Sequence, residues 1–77
     1  MRQFGIRFHS FADIREFVAI AIAQPFEVMV GTGNLLVNAK SLLAMFSLDY
    51  TRPLHVQIAC DEEAYARFTT AAAKFIP

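Results

Sequence analysis

The sequence has one cysteine, no tryptophan and no excess of either charge sign. Because Cys60 has no partner within the chain, packing alone must hold the fold together, which suits the reducing cytoplasm. Seven basic and seven acidic residues give a formal net charge of zero. The chain therefore has no electrostatic basis for binding DNA, RNA or an acidic membrane, and we expect no nucleic-acid partner.

Long apolar runs are also absent. The longest, from Phe17 to Ala23, is far shorter than the about 20 residues of a membrane-spanning helix, so we expect no membrane insertion. The apolar residues that follow Arg2 alternate with polar ones, unlike the continuous apolar core of a signal peptide. We therefore expect the mature chain to be the whole chain.

Apolar residues as such are abundant. They make up 56% of 77 residues, which excludes disorder and predicts a single domain over residues 1–77 with its core filled almost to capacity. Some apolar side chains are then left for the surface. Since His9, His55 and Cys60 do not have the spacing of metal ligands, we expect neither a metal nor a cofactor.

Alternating and helical patterns follow one another along the chain. Alternation at Phe4, Ile6 and Phe8 predicts a first strand, and Ser10 with Asp13 predicts a capped helix that ends at Gln24-Pro25. The apolar stripe of this helix consists of Ile14, Phe17, Val18 and Ala21.

A hairpin and two further helices complete the pattern. Strands are predicted at Phe26–Val30, Leu35–Val37 and Leu54–Ile58, with a turn at Gly31–Asn34. Asn38 is the predicted cap of a second helix from Lys40 to about Leu48, and Asp61 that of a third. The stripe of the third helix is predicted to consist of Ala64, Tyr65, Phe68, Ala71, Ala72 and Phe75. The order βαββαβα predicts an α+β fold in which three helices cover one face of a four-stranded antiparallel sheet.

The run Val37-Asn38-Ala39-Lys40-Ser41, at this place in this order of elements, resembles the histidine-containing phosphocarrier proteins (HPr) of the bacterial sugar phosphotransferase system. The resemblance spans essentially the whole chain and implies the open-faced β-sandwich of that family. It also implies that Ser41 is the family's regulatory phosphorylation site. An ordinary capping serine is an equally good interpretation of Ser41.

The family's reactive motif is missing. HPr proteins carry a phosphate-accepting histidine at the start of the first helix, followed by alanine, arginine and proline. Alignment without gaps places Ser10, Phe11, Ala12 and Asp13 there. A serine phosphate ester is too stable to pass on, so we expect no catalytic residue and no standard phosphocarrier activity. His9 stands one residue away and is the alternative phosphoacceptor.

The family docks its partners through the start of the first helix and the exposed face of the second. The matching residues here are Phe11, Arg15, Leu42, Leu43, Phe46 and Ser47. Because most of them are apolar, we predict a protein-binding surface, with Met45 and Leu48 in the core instead. By analogy with the family, the partners are phosphotransferase-system enzymes, a serine kinase or a transcription regulator, and the chain itself is a monomer or a weak homodimer.

Two alternatives remain for the function. The first is a working phosphocarrier that uses His9. The second is a small-ligand-binding regulatory domain in the manner of ACT domains, since a fold does not determine a function. Such a domain needs a glycine-bearing turn after the first strand, and the segment from Phe8 to Ala12 has none.

Overall fold

A computed structural model describes residues 1–77 and contains one sheet with helices packed against it. The strands are β1 (Arg2–Ile6), β2 (Val28–Thr32), β3 (Leu35–Asn38) and β4 (Leu54–Ile58). The helices are α1 (Phe11–Ile22), α2 (Leu42–Met45) and α3 (Glu62–Ala71), and a short 3-10 turn (Ala73–Phe75) follows α3. The predicted order and the α+β fold class are confirmed.

The sheet has the strand order β1-β4-β2-β3, and every neighbouring pair is antiparallel. Residues alternate between a buried and a more exposed face, as in β4, where Leu54, Val56 and Ile58 are buried and His55 and Gln57 are not. Since only one face is covered, this alternation is the pattern expected of a two-layer fold.

Helix α1 covers this face with the stripe that the sequence predicts. Ile14, Phe17, Val18 and Ala21 are its buried residues. Phe17 is fully buried and lies in edge contact with Phe8, Phe68 and Phe75, at ring-centroid distances of 5.5 to 6.0 Å. This aromatic cluster joins the end of β1 to both long helices, and it places the start of α1 at the edge of the core.

The hairpin differs from the prediction at both ends. Strand β2 begins at Val28 instead of Phe26, whose ring packs edge to face on Phe68 at 5.9 Å. The strand then extends through Gly31 and Thr32, which the sequence assigns to the turn. Gly33 alone has a positive φ, of 57°, and this tight turn lets the pairing continue to Thr32 and Leu35.

The second helix is shorter than predicted, and its cap is a different residue. It spans only Leu42–Met45, and Ser41, not Asn38, is its N-cap. The Asn38 side chain instead accepts a hydrogen bond from the Lys40 amide at 2.9 Å, which forms a turn at the end of β3. Local propensity could not distinguish these two capping residues, because both are good hydrogen-bond acceptors.

The third helix agrees with its predicted cap, since Asp61 accepts from the Ala64 amide at 2.8 Å. Its predicted stripe is wrong at Ala71, which is exposed, whereas Ala72 is fully buried. The buried residues Phe68, Ala72 and Phe75 follow one another at intervals of four and three, which is the spacing of one helix face, and Ala71 lies beside that face. None of the helices combines the length and the apolar character that a bilayer-spanning segment requires.

Candidate functional site

Two hydrogen bonds to side chains close the start of α1. Ser10 Oγ accepts from the Asp13 amide at 3.3 Å, and Asp13 Oδ2 accepts from the His9 amide at 3.0 Å. The serine bond is that of a capping box, whereas the aspartate accepts from the amide one residue before the cap instead of from the amide of the cap itself. Ser10 and Asp13 therefore have a local structural function, and the Asp13 carboxylate places negative charge in the first turn of the helix.

His9 lies just before this cap and is exposed. Its backbone amide is held by Asp13, while its imidazole makes no hydrogen bond within the protein. No third group orients the ring, in contrast to the arrangement that activates a nucleophilic side chain. The second histidine, His55, lies on β4 at the open face of the sheet, and its ring packs over Gly31.

The segment Asn38–Ser41 connects the sheet to α1 and α2. Ala39 is fully buried, and its amide donates to the Val28 carbonyl at 2.8 Å, which extends the β2–β3 pairing by one bond. Lys40 Nζ donates to the Gln24 carbonyl at 2.8 Å, just beyond the C-terminal end of α1. A cation is favoured there because the carbonyls at a helix C-terminus carry partial negative charge.

Ser41 completes this segment as the N-cap of α2. Its Oγ accepts from the Ala44 amide at 3.2 Å, and the residue is half-buried. Each polar residue of the run that carries the family resemblance thus makes a structural hydrogen bond. The run can therefore be retained by the fold alone, without any phosphate chemistry at the start of α1.

An apolar surface lies between the start of α1 and α2. It consists of Phe11, Arg15, Leu42, Leu43, Phe46 and Ser47, and we call it the α1–α2 surface. Phe11 is 58% exposed and Leu43 is 83% exposed, which is unusual for side chains of this size. Phe46 and Leu42 are also exposed, whereas Met45 and Leu48 are buried as predicted.

Four of these six residues enclose one open depression: Phe11, Arg15, Leu42 and Phe46. The rings of Phe11 and Phe46 meet edge to face, with centroids 5.5 Å apart and an interplanar angle of 83°. Leu43 and Ser47 are exposed beside the depression and do not line it. The Ser47 hydroxyl donates to the Ala44 carbonyl, so it makes a local bond just beyond the C-terminal end of α2.

Tyr50 is a neighbour of this surface that the sequence analysis did not identify. Its ring lies 5.4 Å from that of Phe11 and is half-buried against the core. The turn that holds it is fixed by Asp49, whose carboxylate accepts from the Thr51 amide at 3.1 Å and from the Thr51 hydroxyl. These bonds lower the pKa of Asp49 below its ordinary value. The only indication of Tyr50 in the sequence was an aromatic residue shortly after the predicted apolar helix.

No group of histidine, cysteine, aspartate and glutamate side chains in the protein is arranged to hold a metal ion. Glu63 pairs with Arg67 at 3.0 Å and Glu16 with Lys74 at 2.6 Å, both on the surface. Both ion pairs lie away from the depression, whose lining is apolar apart from Arg15.

Comparison with known proteins supports the architecture. No family model matches the sequence, and no curated protein matches it. Among solved structures, the chain is similar to that of HPr-C-His from Thermoanaerobacter tengcongensis, with a TM-score of 0.75 and 23% sequence identity. The match covers 96% of this chain and 93% of the other. The protein therefore has an HPr-like fold.

Proposed function

We propose that this protein is a protein-docking module built on the HPr-like fold and that it is not a phosphohistidine carrier. One observation carries the proposal. The first turn of α1 is closed by Ser10 and Asp13, while the adjoining α1–α2 surface exposes large apolar side chains. A partner protein in or near a sugar phosphotransferase system is the occupant that the fold similarity favours.

The chemistry at the start of α1 argues against phosphate transfer. A transferable phosphate needs an imidazole nitrogen, held where backbone amides and a cation stabilise the phosphoryl charge. Ser10 offers a hydroxyl, Ala12 offers no charge, and Asp13 supplies a carboxylate that repels a phosphate. Each of these changes alone weakens transfer, and together they remove acceptor, stabilising cation and electrostatic attraction.

His9 as an alternative phosphoacceptor is opposed by its surroundings. The Asp13 carboxylate is bound to the backbone amide of His9 itself, so negative charge lies at the backbone of this residue. A phosphoryl group on this ring would approach that carboxylate instead of the free amides of a helix N-terminus. We therefore expect that His9 accepts no phosphate from phosphoenolpyruvate.

The α1–α2 surface supports docking for an energetic reason. Burial of apolar area contributes about 25 cal/mol per Å². The free energy of apolar burial is not gained for the exposed parts of Phe11, Leu42 and Phe46, although the core beside them is buried. Contiguous exposed apolar side chains at a depression are typical of a binding surface. A protein that covers them recovers the free energy that folding alone does not.

Ser41 is the proposed regulatory site of this surface. Its hydroxyl caps α2 and is followed directly by Leu42, which lines the depression. Phosphorylation would add about −1.5 to −2 charge next to this apolar wall, which changes the partners that can bind without a change of fold. With the family's serine kinase and ATP, we expect acid-stable phosphate that Ser41→Ala abolishes. Label that persists in this variant rejects Ser41 as the site.

Site-specific photo-crosslinking tests the docking proposal. A photoreactive phenylalanine analogue replaces Phe46 in one variant and Leu36 in the other, in cells of the source organism. Leu36 is the matched control, because it is 43% exposed, close to the 40% of Phe46, but lies on the edge strand β3. We expect a discrete crosslinked partner from position 46 only, lost on the further change Leu42→Ser. Equal crosslinking from both positions would reject the α1–α2 surface as the docking site.

A further inference from the structure

Arg15 is a charged residue at the α1–α2 surface that has no partner within the protein. Its guanidinium takes part in no salt bridge and no hydrogen bond. The two acidic residues nearest to it along α1 are engaged elsewhere. Asp13 accepts from the His9 amide, and Glu16 pairs with Lys74, whose pKa it raises above the ordinary value. The guanidinium at the depression therefore has no ion-pair partner within the protein.

The position of Arg15 relative to the apolar residues defines what could bind. Arg15 follows Phe11 by one turn of α1, so the two side chains are neighbours on one helix face. Both line the depression together with Leu42 and Phe46, and no acidic side chain lines it. The depression thus combines apolar walls with a single cation that offers several N–H donors in a planar group.

A carboxylate is the group that best complements this arrangement. It accepts two parallel hydrogen bonds from a guanidinium, and apolar walls strengthen the attraction by excluding water. A cationic group in the same place would be repelled, and a neutral amide would gain only the weaker hydrogen bonds. Charge complementarity therefore distinguishes among the apolar segments that could cover Phe11 and Phe46.

We propose that the α1–α2 surface binds an apolar protein segment that carries a carboxylate about one helical turn from its apolar anchor. This inference rests on the proposed docking function and adds the chemistry of the partner. The anchor packs against Phe11, Leu42 and Phe46, and the carboxylate pairs with Arg15. An amphipathic helix with a leucine followed one turn later by a glutamate has this spacing.

Two short hydrocarbon-stapled helical peptides test the inference. One has a leucine followed one turn later by a glutamate, and its twin has glutamine in place of the glutamate. Each is titrated into isotope-labelled protein, and the amide signals of Phe11, Arg15, Leu42 and Phe46 are followed by NMR. At low salt we expect the glutamate peptide to bind roughly threefold more tightly, as for one partly exposed ion pair. Salt should reduce this preference.

Substitution of the arginine shows whether the preference arises at the proposed site. In Arg15→Gln both peptides should bind with equal affinity, close to that of the glutamine peptide for the unchanged protein. Arg67→Gln, which removes an exposed arginine on α3, should keep the full preference. The inference is overturned if the two peptides bind the unchanged protein equally, or if the preference survives Arg15→Gln. Either result leaves the proposed docking function unaffected. If neither peptide shifts these four amide signals, docking at this surface is itself contradicted.

Discussion

The rings of Phe11 and Phe46 meet edge to face across the junction of α1 and α2, with centroids 5.5 Å apart. Phe11 starts the helix that follows the capping serine, and Phe46 ends the short helix that Ser41 caps. The two helix caps therefore bring together the two aromatic residues of the proposed docking surface. The same fold that positions a reactive site in a phosphocarrier here positions an apolar contact.

Replacement of Phe11 should separate docking from stability. Phe11→Ala removes a 58% exposed ring, so we expect a loss of about 1 kcal/mol in the free energy of unfolding, from its aromatic contacts. Phe17→Ala is the matched change of a fully buried ring and should cost about 3–5 kcal/mol. Urea denaturation measures both. Similar losses for the two variants would show that Phe11 belongs to the core.

Removal of the Ser10 hydroxyl should weaken the start of α1. Ser10→Ala deletes the bond to the Asp13 amide, and we expect a loss of about 1 kcal/mol, whereas Ser10→Asp should keep most of the stability. For a chain of this length, 1 kcal/mol lowers Tm by about 4–8 °C. Thermal denaturation followed by circular dichroism measures the shift. An unchanged Tm in Ser10→Ala would mean that the cap contributes nothing.

Lys40 should contribute to stability through its bond to Gln24. Lys40→Met keeps the length of the side chain but removes the donor to the carbonyl beyond the end of α1, and we expect a cost of about 1–2 kcal/mol. Lys74→Met is the control, because its ion pair with Glu16 is exposed to solvent and should contribute less to stability than the Lys40 bond. The comparison uses the midpoints of urea denaturation. A larger effect at Lys74 would contradict this account of the Asn38–Ser41 segment.

Gly31 should tolerate no side chain, whereas Gly5 should. A Cβ atom at Gly31 would lie 2.7 Å from the Leu35 carbonyl oxygen, so the β2–β3 backbone must shift, at a cost of about 1–3 kcal/mol. A Cβ atom at Gly5 would lie 3.8 Å from the Leu54 carbonyl oxygen, which is an ordinary van der Waals contact. Gly31→Ala should therefore lower the free energy of unfolding clearly, and Gly5→Ala only slightly. A stable Gly31→Ala variant would reject this close approach.

The Asp49 turn should be sensitive to acid. The Thr51 hydroxyl and amide lower the pKa of Asp49, so the turn is stabilised above the ordinary aspartate pKa and loses this contribution as pH falls through the lowered value. In Thr51→Val the hydroxyl is lost, and the pKa should rise toward its ordinary value. NMR titration of the Asp49 carboxyl measures it. An equal pKa in both proteins would exclude the hydroxyl as the main cause.

Local patterns in the sequence were sufficient for the strand alternation, the stripe of α1 and two of the three helix caps. They were insufficient where a contact with a residue far along the chain determines the local structure. Whether Asn38 or Ser41 caps α2 depends on the Ala39 amide, which bonds to Val28 and keeps the chain extended at that point. The contact of Lys40 with Gln24 joins residues 16 positions apart, and no periodicity indicates it. The position of Tyr50 likewise depends on tertiary packing against Phe11.

Among the residues of the candidate site, some were indicated by the sequence and others were found only in the structure. The resemblance in the sequence predicts that Ser10 and Ala12 stand at the histidine and arginine positions of the family motif, and this stays a prediction. The sequence also indicates the Ser10 cap, whereas the bond of Asp13 to the His9 amide and the depression beside Arg15 required the structure.

The most direct test of the central claim is phosphate transfer from phosphoenolpyruvate. The protein is incubated with labelled phosphoenolpyruvate and the general phosphotransferase enzyme, beside an active HPr as positive control and a His9→Ala variant. We predict that the HPr becomes labelled and that neither form of this protein does. Acid-labile phosphate on the unchanged chain that disappears in His9→Ala would contradict the account and establish His9 as a working phosphoacceptor.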